Sequence, residues 1–243
     1  ILFAIDFTLM LLHVLLLHSC TTTDIWDYQL KCFQNFLCHA DDRYRRAIAY
    51  LNVSDRWDEK DPCTLQGVTC AREGIKHIHW RSGRVSCDIG WAPPTIESLV
   101  LDDVNINTQR IDTRLLPPRL TDCWIVYADL LGTIDLRTLP ENLVEFGVPY
   151  SSLTGTVFLT HLPKGIRLIN LMGNKFRRVY VLNEAIPERF EHASFFQHLK
   201  PKFVSFDGKR VDRRVNIAMG GLHYGGFDAS SSRSSEASSE TEI

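Results

Sequence analysis

Residues 139–187 read LPENLVEFGVPYSSLTGTVFLTHLPKGIRLINLMGNKFRRVYVLNEAIP. The stretch contains one pattern twice. Leu139-Pro140 precedes Glu141-Asn142-Leu143, and Leu162-Pro163 precedes Lys164-Gly165-Ile166. Beyond the second anchor the apolar slots are Ile166, Ile169, Leu171 and Phe176, with Asn174 between the last two. One period earlier Leu143, Phe146, Val148, Ser151 and Leu153 fill the same places. Further upstream come Leu120, Cys123, Ile125, Ala128 and Leu130, then Ile96, Leu99, Leu101, Val104 and Ile106, with a weaker copy at Ile75, Ile78 and Trp80. Pro94, Pro117, Pro140, Pro163 and Pro187 fall 23, 23, 23 and 24 residues apart. The second half of the unit repeats as well: Gly132-Thr133-Ile134-Asp135-Leu136 aligns with Gly155-Thr156-Val157-Phe158-Leu159.

The slots follow L-x-x-L-x-L-x-x-N-x-L, the signature of a leucine-rich repeat. Side chains alternate along a strand, so the L-x-L residues point inward and the residues between them outward. Asn174 is placed to satisfy backbone groups of the neighbouring coil, Ser151 can do so in part, and Ala128 and Val104 cannot. Proline lacks the N–H that a ladder needs and ends the convex segment. One unit cannot bury its own apolar edge, so the units must stack. The fold expected is an α/β solenoid: a short leucine-rich-repeat array with a helical N-terminal cap and parallel strands on its concave face.

Composition agrees with a folded chain. Of 243 residues, 44% are hydrophobic and 23% charged, and 27 basic against 29 acidic residues leave a formal charge of -2. That near-balance argues against a nucleic-acid binder, which carries a basic excess or stripe. The run from Phe7 to Leu17 is shorter than the roughly 20 apolar residues that cross a bilayer and suits a signal peptide better. Residues 1–20 are therefore read as a signal peptide or anchor, 24–74 as an N-terminal capping domain and 75–187 as the repeats. Residues 188–224 are read as a C-terminal cap and 225–243 as a disordered Ser-rich tail. Ile25, Tyr28, Cys32 and Phe36 recur at helical spacing in the first cap. Asn52-Val53-Ser54 is a glycosylation sequon. Cys63 and Cys70 are close enough in sequence to close a disulfide; the alternative, zinc shared with His77 and His79, matches no zinc spacing.

Helix, Trp57, the D-P-C-x-x-x-G-V-x-C segment from Asp61 to Cys70 and then the repeats together resemble the plant-type extracellular leucine-rich-repeat proteins with an N-terminal capping domain. Leu153 to Pro163 resembles the repeat variant common in kinetoplastid protist proteins of this type. Leu65 departs from the family, which usually has an aromatic there. The resemblance implies a binding module, receptor or surface protein; no cofactor and no catalysis are expected.

No nucleophile elbow, P-loop, dinucleotide fingerprint or zinc-protease motif is present, so no catalytic or metal-binding residue is assigned. The candidate site is the concave face. It comprises His77, His79 and Arg81, then Asp102, Asp122, Trp124, Glu145, Asn170 and Met172, with Tyr127 and Tyr150 at strand ends. Trp, Tyr and Arg dominate interface energetics, and an outward Trp124 is the expected anchor for a protein or glycan partner. The function expected is that of a secreted or cell-surface, non-catalytic glycoprotein, touching a membrane only through its N-terminal segment if that is uncleaved. Two alternatives remain: an intracellular or membrane-anchored scaffold of the same fold, and an enzyme built from His192, His198, Asp207 and His223 in the 187–225 region.

Overall fold

The computed structural model describes residues 22–37, 46–47, 50–51, 61–72, 74–81, 85–195, 200–216, 223–224 and 227–228. The 1–20 segment, the Asn52 sequon, Trp57 and the tail from 229 lie outside the described residues.

The helical spacing makes a helix, α1 (Thr22–Phe36). The strands that follow are short. They are β1 (Val68–Ala71), β2 (Gly74–Arg81), β3 (Ser86–Cys87), β4 (Ser98–Asp102), β5 (Asn105–Ile106) and β6 (Asp122–Val126). Next come β7 (Leu131–Gly132), β8 (Glu145–Gly147), β9 (Ser152–Leu159), β10 (Leu168–Asn170) and β11 (Lys175–Val181). The last are β12 (His192–Ser194), β13 (Lys202–Ser205), β14 (Val215–Asn216), β15 (His223–Tyr224) and β16 (Phe227–Asp228).

Successive coils add alternate strands to two sheets. One is eight-stranded in the order β1-β2-β4-β6-β8-β10-β12-β14, parallel except for the β1-β2 hairpin. The other is four-stranded, β13-β11-β9-β7, and fully parallel. The chain is thus a solenoid of stacked coils with one continuous core between its sheets. Leu99, Leu101, Cys123, Ile125, Phe146 and Ile169 fill it from the large sheet, and Val157, Leu159, Val179 and Val181 from the small one. The large-sheet slots among these were legible in the period-2 pattern.

Each coil turns into its large-sheet strand in the same way. The carbonyls of Pro117, Pro140, Pro163 and Pro187 accept from the N–H three residues on, at Leu120, Leu143, Ile166 and Phe190. In the first coil the accepting carbonyl belongs to Pro93, not Pro94, so the expected anchor there is shifted by one residue. Opposite, each of three coils carries a 3-10 turn capped by an aspartate: Asp88, Asp112 and Asp135 accept from the N–H two residues on, at 3.0, 3.1 and 3.1 Å. A capping oxygen of this kind satisfies a donor that a short helix leaves bare.

Asn174 holds two coils together. Its Oδ1 accepts from Leu153 N–H at 3.0 Å, while Nδ2 donates to Val148 O at 2.7 Å and Leu171 O at 3.1 Å. Ser151, one coil earlier, is buried, and its hydroxyl makes no hydrogen bond among the described residues, so the partial substitution expected of it does not occur.

α1 lies against the first coils. Phe36 stacks on Trp80 at 5.6 Å and Phe33 meets its edge at 6.1 Å, while Trp80 Nε1 donates to Gln66 O at 3.0 Å. Buried Gln29 accepts from Ile75 N–H at 3.0 Å and from the Thr95 hydroxyl at 2.5 Å. Cys63 and Cys70 form a disulfide with Cα atoms 5.7 Å apart. At the other end the parallel ladder runs past Pro187 through β12 and β14. Arg214 secures this extension, donating from Nη1 to the carbonyls of Pro187 and Phe190, both at 3.1 Å. β15 and β16 pair as a small hairpin, so Phe227 and Asp228, assigned to a structureless tail, lie in a strand.

Truncating Asn174 strands one buried donor and two buried acceptors, each costing about 1–3 kcal/mol when unmet. Asn174→Ala is expected to lower unfolding free energy by about 2–4 kcal/mol in a urea titration, whereas Ser151→Ala should change it by less than about 1 kcal/mol.

Candidate functional site

The outer face of the eight-stranded sheet brings the sequence-predicted residues together in rows, because parallel register places equivalent positions side by side. One row runs His77, Ser98, Asp122, Glu145, Leu168, His192. The next runs His79, Val100, Trp124, Gly147, Asn170, Ser194, and a third, Arg81, Asp102, Val126.

Trp124 faces away from the main core, as alternation requires, but it is only 1% exposed. It heads a second, smaller apolar cluster with Val126, against which Val100, Tyr150 and Leu168 pack. Its ring lies across Gly147, where an added Cβ would come within 2.2 Å of the indole. The exposed anchor expected at Trp124 is therefore corrected: glycine on the next strand lets the indole lie flat and be covered. Asn170 and Met172 are also buried, Asn170 Oδ1 accepting from Met172 N–H at 3.1 Å, so neither offers an exposed contact.

At the strand ends of this face Tyr127 is exposed, at 47%. It stacks on Tyr150 with centroids 4.7 Å apart and planes at 11°. Both adopt left-handed backbone, φ 52° and 53°, a region L-residues with bulky side chains rarely occupy. Asp103 and Gly173 hold the same phase in adjacent coils, at φ 56° and 70°. The turn is fixed by ladder bonds: Asp103 N–H to Val126 O, Tyr127 N–H to Pro149 O and Tyr150 N–H to Met172 O. The repeat made both tyrosines legible as strand-end residues. Their conformation was signalled only by the glycine at position 173, one period on.

Charge on this face is unevenly solvated. Arg81 Nε reaches Asp102 Oδ2 at 2.8 Å, yet burial raises the Asp102 carboxyl despite that cation. Glu145 is raised too, first by burial and then by Asp122 on the neighbouring strand, with Arg167 opposing. The His77 and His79 rings stack at 5.9 Å, and burial followed by the His77 charge pushes His79 down. His79 Nε2 lies 2.9 Å from Ser98 Oγ, and His192 Nε2 lies 2.7 Å from Ser194 Oγ. Lys76–Glu97 and Arg167–Glu191, each at 2.7 Å, border the rows, and such surface pairs contribute little.

Of the groups considered for an enzyme, His192 and Asp207 belong to different sheets. His192 sits on the large sheet, while Asp207 follows β13 of the small sheet and bonds Ser205 and Lys209 N–H; His198 lies outside the described residues. Cys123 is fully buried, and burial, helped by Asp122, pushes its thiol up to about 12, a core side chain and not a nucleophile. Among the described residues no group of three or more His, Cys, Asp or Glu is placed to hold a metal ion, and no helix is long and apolar enough to cross a membrane. What the face offers is pre-positioned aromatic, acidic and imidazole groups on rigid strands. No family model matches this chain, and no curated protein does.

Glu145 gives a pH signature. A raised folded-state carboxyl means the native chain holds the proton more tightly than the unfolded chain, so ionisation costs stability. That cost is absent below the ordinary carboxyl range and grows as pH rises from there through the elevated folded value. Glu145→Gln is expected to melt higher than the parent at pH 7 and no higher at pH 3, measured by thermal denaturation. Trp124→Ala, by contrast, should cost about 3–5 kcal/mol in chemical denaturation, as for other buried aromatics.

Proposed function

We propose that this chain is a secreted or cell-surface leucine-rich-repeat module, closed at its start by a helical capping domain, that binds a protein or glycan without catalysis. The concave face, formed by the eight-stranded sheet, is the binding surface. The observation that carries this reading is the exposed Tyr127 stacked on Tyr150 at one end of the strands, the end that also holds the Arg81–Asp102 pair, with Asp122 and Glu145 at the other end of the same face. A stacked tyrosine pair held by an over-determined turn presents a large contact area with little side-chain entropy left to lose on binding. The Cys63–Cys70 bridge favours an oxidising compartment. The repeat motif, the Asp61-to-Cys70 segment and the α1–Trp80 packing are the features that favour the capped leucine-rich-repeat reading. The anchor is Tyr127, backed by Tyr150, which packs against the Trp124–Val126 cluster.

Expression through a eukaryotic secretory path, followed by intact-mass measurement with and without reduction and glycosidase, tests the compartment. Loss of roughly the first twenty residues, glycan on Asn52 and a reducible Cys63–Cys70 bridge are expected; an uncleaved, unglycosylated chain with free thiols would overturn it. Partners are then sought on protein and glycan arrays. Tyr127→Ala should weaken any concave-face partner about tenfold or more while changing stability by under about 1 kcal/mol. A partner indifferent to Tyr127 and Arg81 substitutions would place binding elsewhere.

A further inference from the structure

The outer face of the four-stranded sheet has a character the whole-chain charge conceals. Its strands read LG, SLTGTVFL, KFRRVYV and KFVS. They contain no acidic residue, but they carry Lys175, Arg177, Arg178 and Lys202, in a chain of formal charge -2. Among the described residues Arg177, Arg178 and Lys202 enter no ion pair, and the Thr156 hydroxyl makes no hydrogen bond.

A β-bulge gathers these groups. β9 and β11 pair Phe176 with Gly155 and then Arg178 with Thr156, so Arg177 is an extra residue. Phe176 and Val179 both face the core. In a regular strand residues three apart point to opposite faces, and the inserted residue reconciles them. It also leaves Arg177 and Arg178 exposed together. The bulge opens a groove of about 480 Å³ lined by Gly155, Thr156, Arg177 and Arg178. Gly155 adopts φ 87°, a left-handed conformation that suits glycine and leaves the floor without a side chain. Register then sets Thr156, Arg178 and Lys202 side by side on three strands.

We infer that this groove binds a tetrahedral oxyanion, the phosphate or sulfate ester group of a ligand. Two guanidiniums present planar forks of donors that match such an anion, a hydroxyl and an ammonium flank them, and no carboxylate competes. Recognition is by charge and not by base stacking. The neighbouring aromatics already use their ring faces on one another: Phe158 on Tyr180 at 5.5 Å, Tyr180 against Phe206 at 5.4 Å, and Arg137 over Phe158 at 5.2 Å.

The test is isothermal titration of the full chain with inorganic phosphate, inorganic sulfate and acetate at constant ionic strength. The same titrations are run on Arg177→Gln/Arg178→Gln, Lys202→Gln and, as a control on another surface, Lys164→Gln. Phosphate or sulfate should bind at least about tenfold more tightly than acetate, because only a tetrahedral anion engages both forks. Binding should fall about tenfold or more in the double arginine variant, fall less in Lys202→Gln and persist in Lys164→Gln. Tighter phosphate indicates a phosphoryl group and tighter sulfate a sulfate ester. Equal weak binding of all three anions, or an unchanged double variant, would overturn the assignment. Should the double variant melt abnormally, Lys202→Gln and Thr156→Val serve in its place: undiminished oxyanion binding in both defeats the site.

Discussion

The rest of the structure depends on one constraint: a single coil of this chain has an apolar edge that it cannot cover. Two dozen residues are too few to enclose Leu99 and Leu101, or Phe146 and Val148, within one turn of backbone. Coverage comes only from a neighbour of equal length in matching register. That requirement fixes the period, the repeated turn at proline and the parallel pairing that puts Leu99, Cys123, Phe146 and Ile169 in line. It also explains why the two ends differ from the middle. The first coils meet α1 and the Phe33–Phe36–Trp80 cluster, and the last described ones are held by Arg214, whose guanidinium donates to the carbonyls of Pro187 and Phe190.

Stacking has a second effect, on charge. Any residue type repeated at one phase becomes a row across the strands. On the large sheet this sets Asp122 beside Glu145, where burial and like charge act together, while Asp122 opposes the effect of burial on His79. On the small sheet it sets cation beside cation without an acid. The near-zero total charge conceals the basic face of the small sheet.

The inward slots were legible because strand alternation and the repeat are independent signals that agree. Asn174 was legible for the same reason: its position demanded a side chain that could serve two coils, and it does. Other features were not, each for a local cause. Alternation assigns Trp124 to a face but does not say whether that face covers it; the absent Cβ at Gly147 decides that. The shift from Pro94 to Pro93 is a single residue within Pro93-Pro94, where spacing alone has no resolution. The coils after Pro187 lost their leucines to Ala193 and Val215, so the pattern faded while the hydrogen-bond ladder continued. The bulge at Arg177 inverts the alternation rule over three residues, and the rule cannot announce its own exception. The aspartate caps were visible in the sequence as Asp88, Asp112 and Asp135 at near-repeat intervals, but the repeat signature does not include them.

Because coils touch mainly their immediate neighbours, load applied to the two ends passes from one coil to the next along the continuous core. Hydrogen bonds in a parallel ladder pulled from its final strand break one strand-width at a time, like a zip, and not together, as they would in sheared strands. Each released coil of 23 residues lengthens the tether by about 75–80 Å at roughly 3.4 Å per residue. A chain built this way yields progressively. It releases length while the coils still stacked keep their surfaces intact, a useful property for anything anchored at one end and gripped along its side.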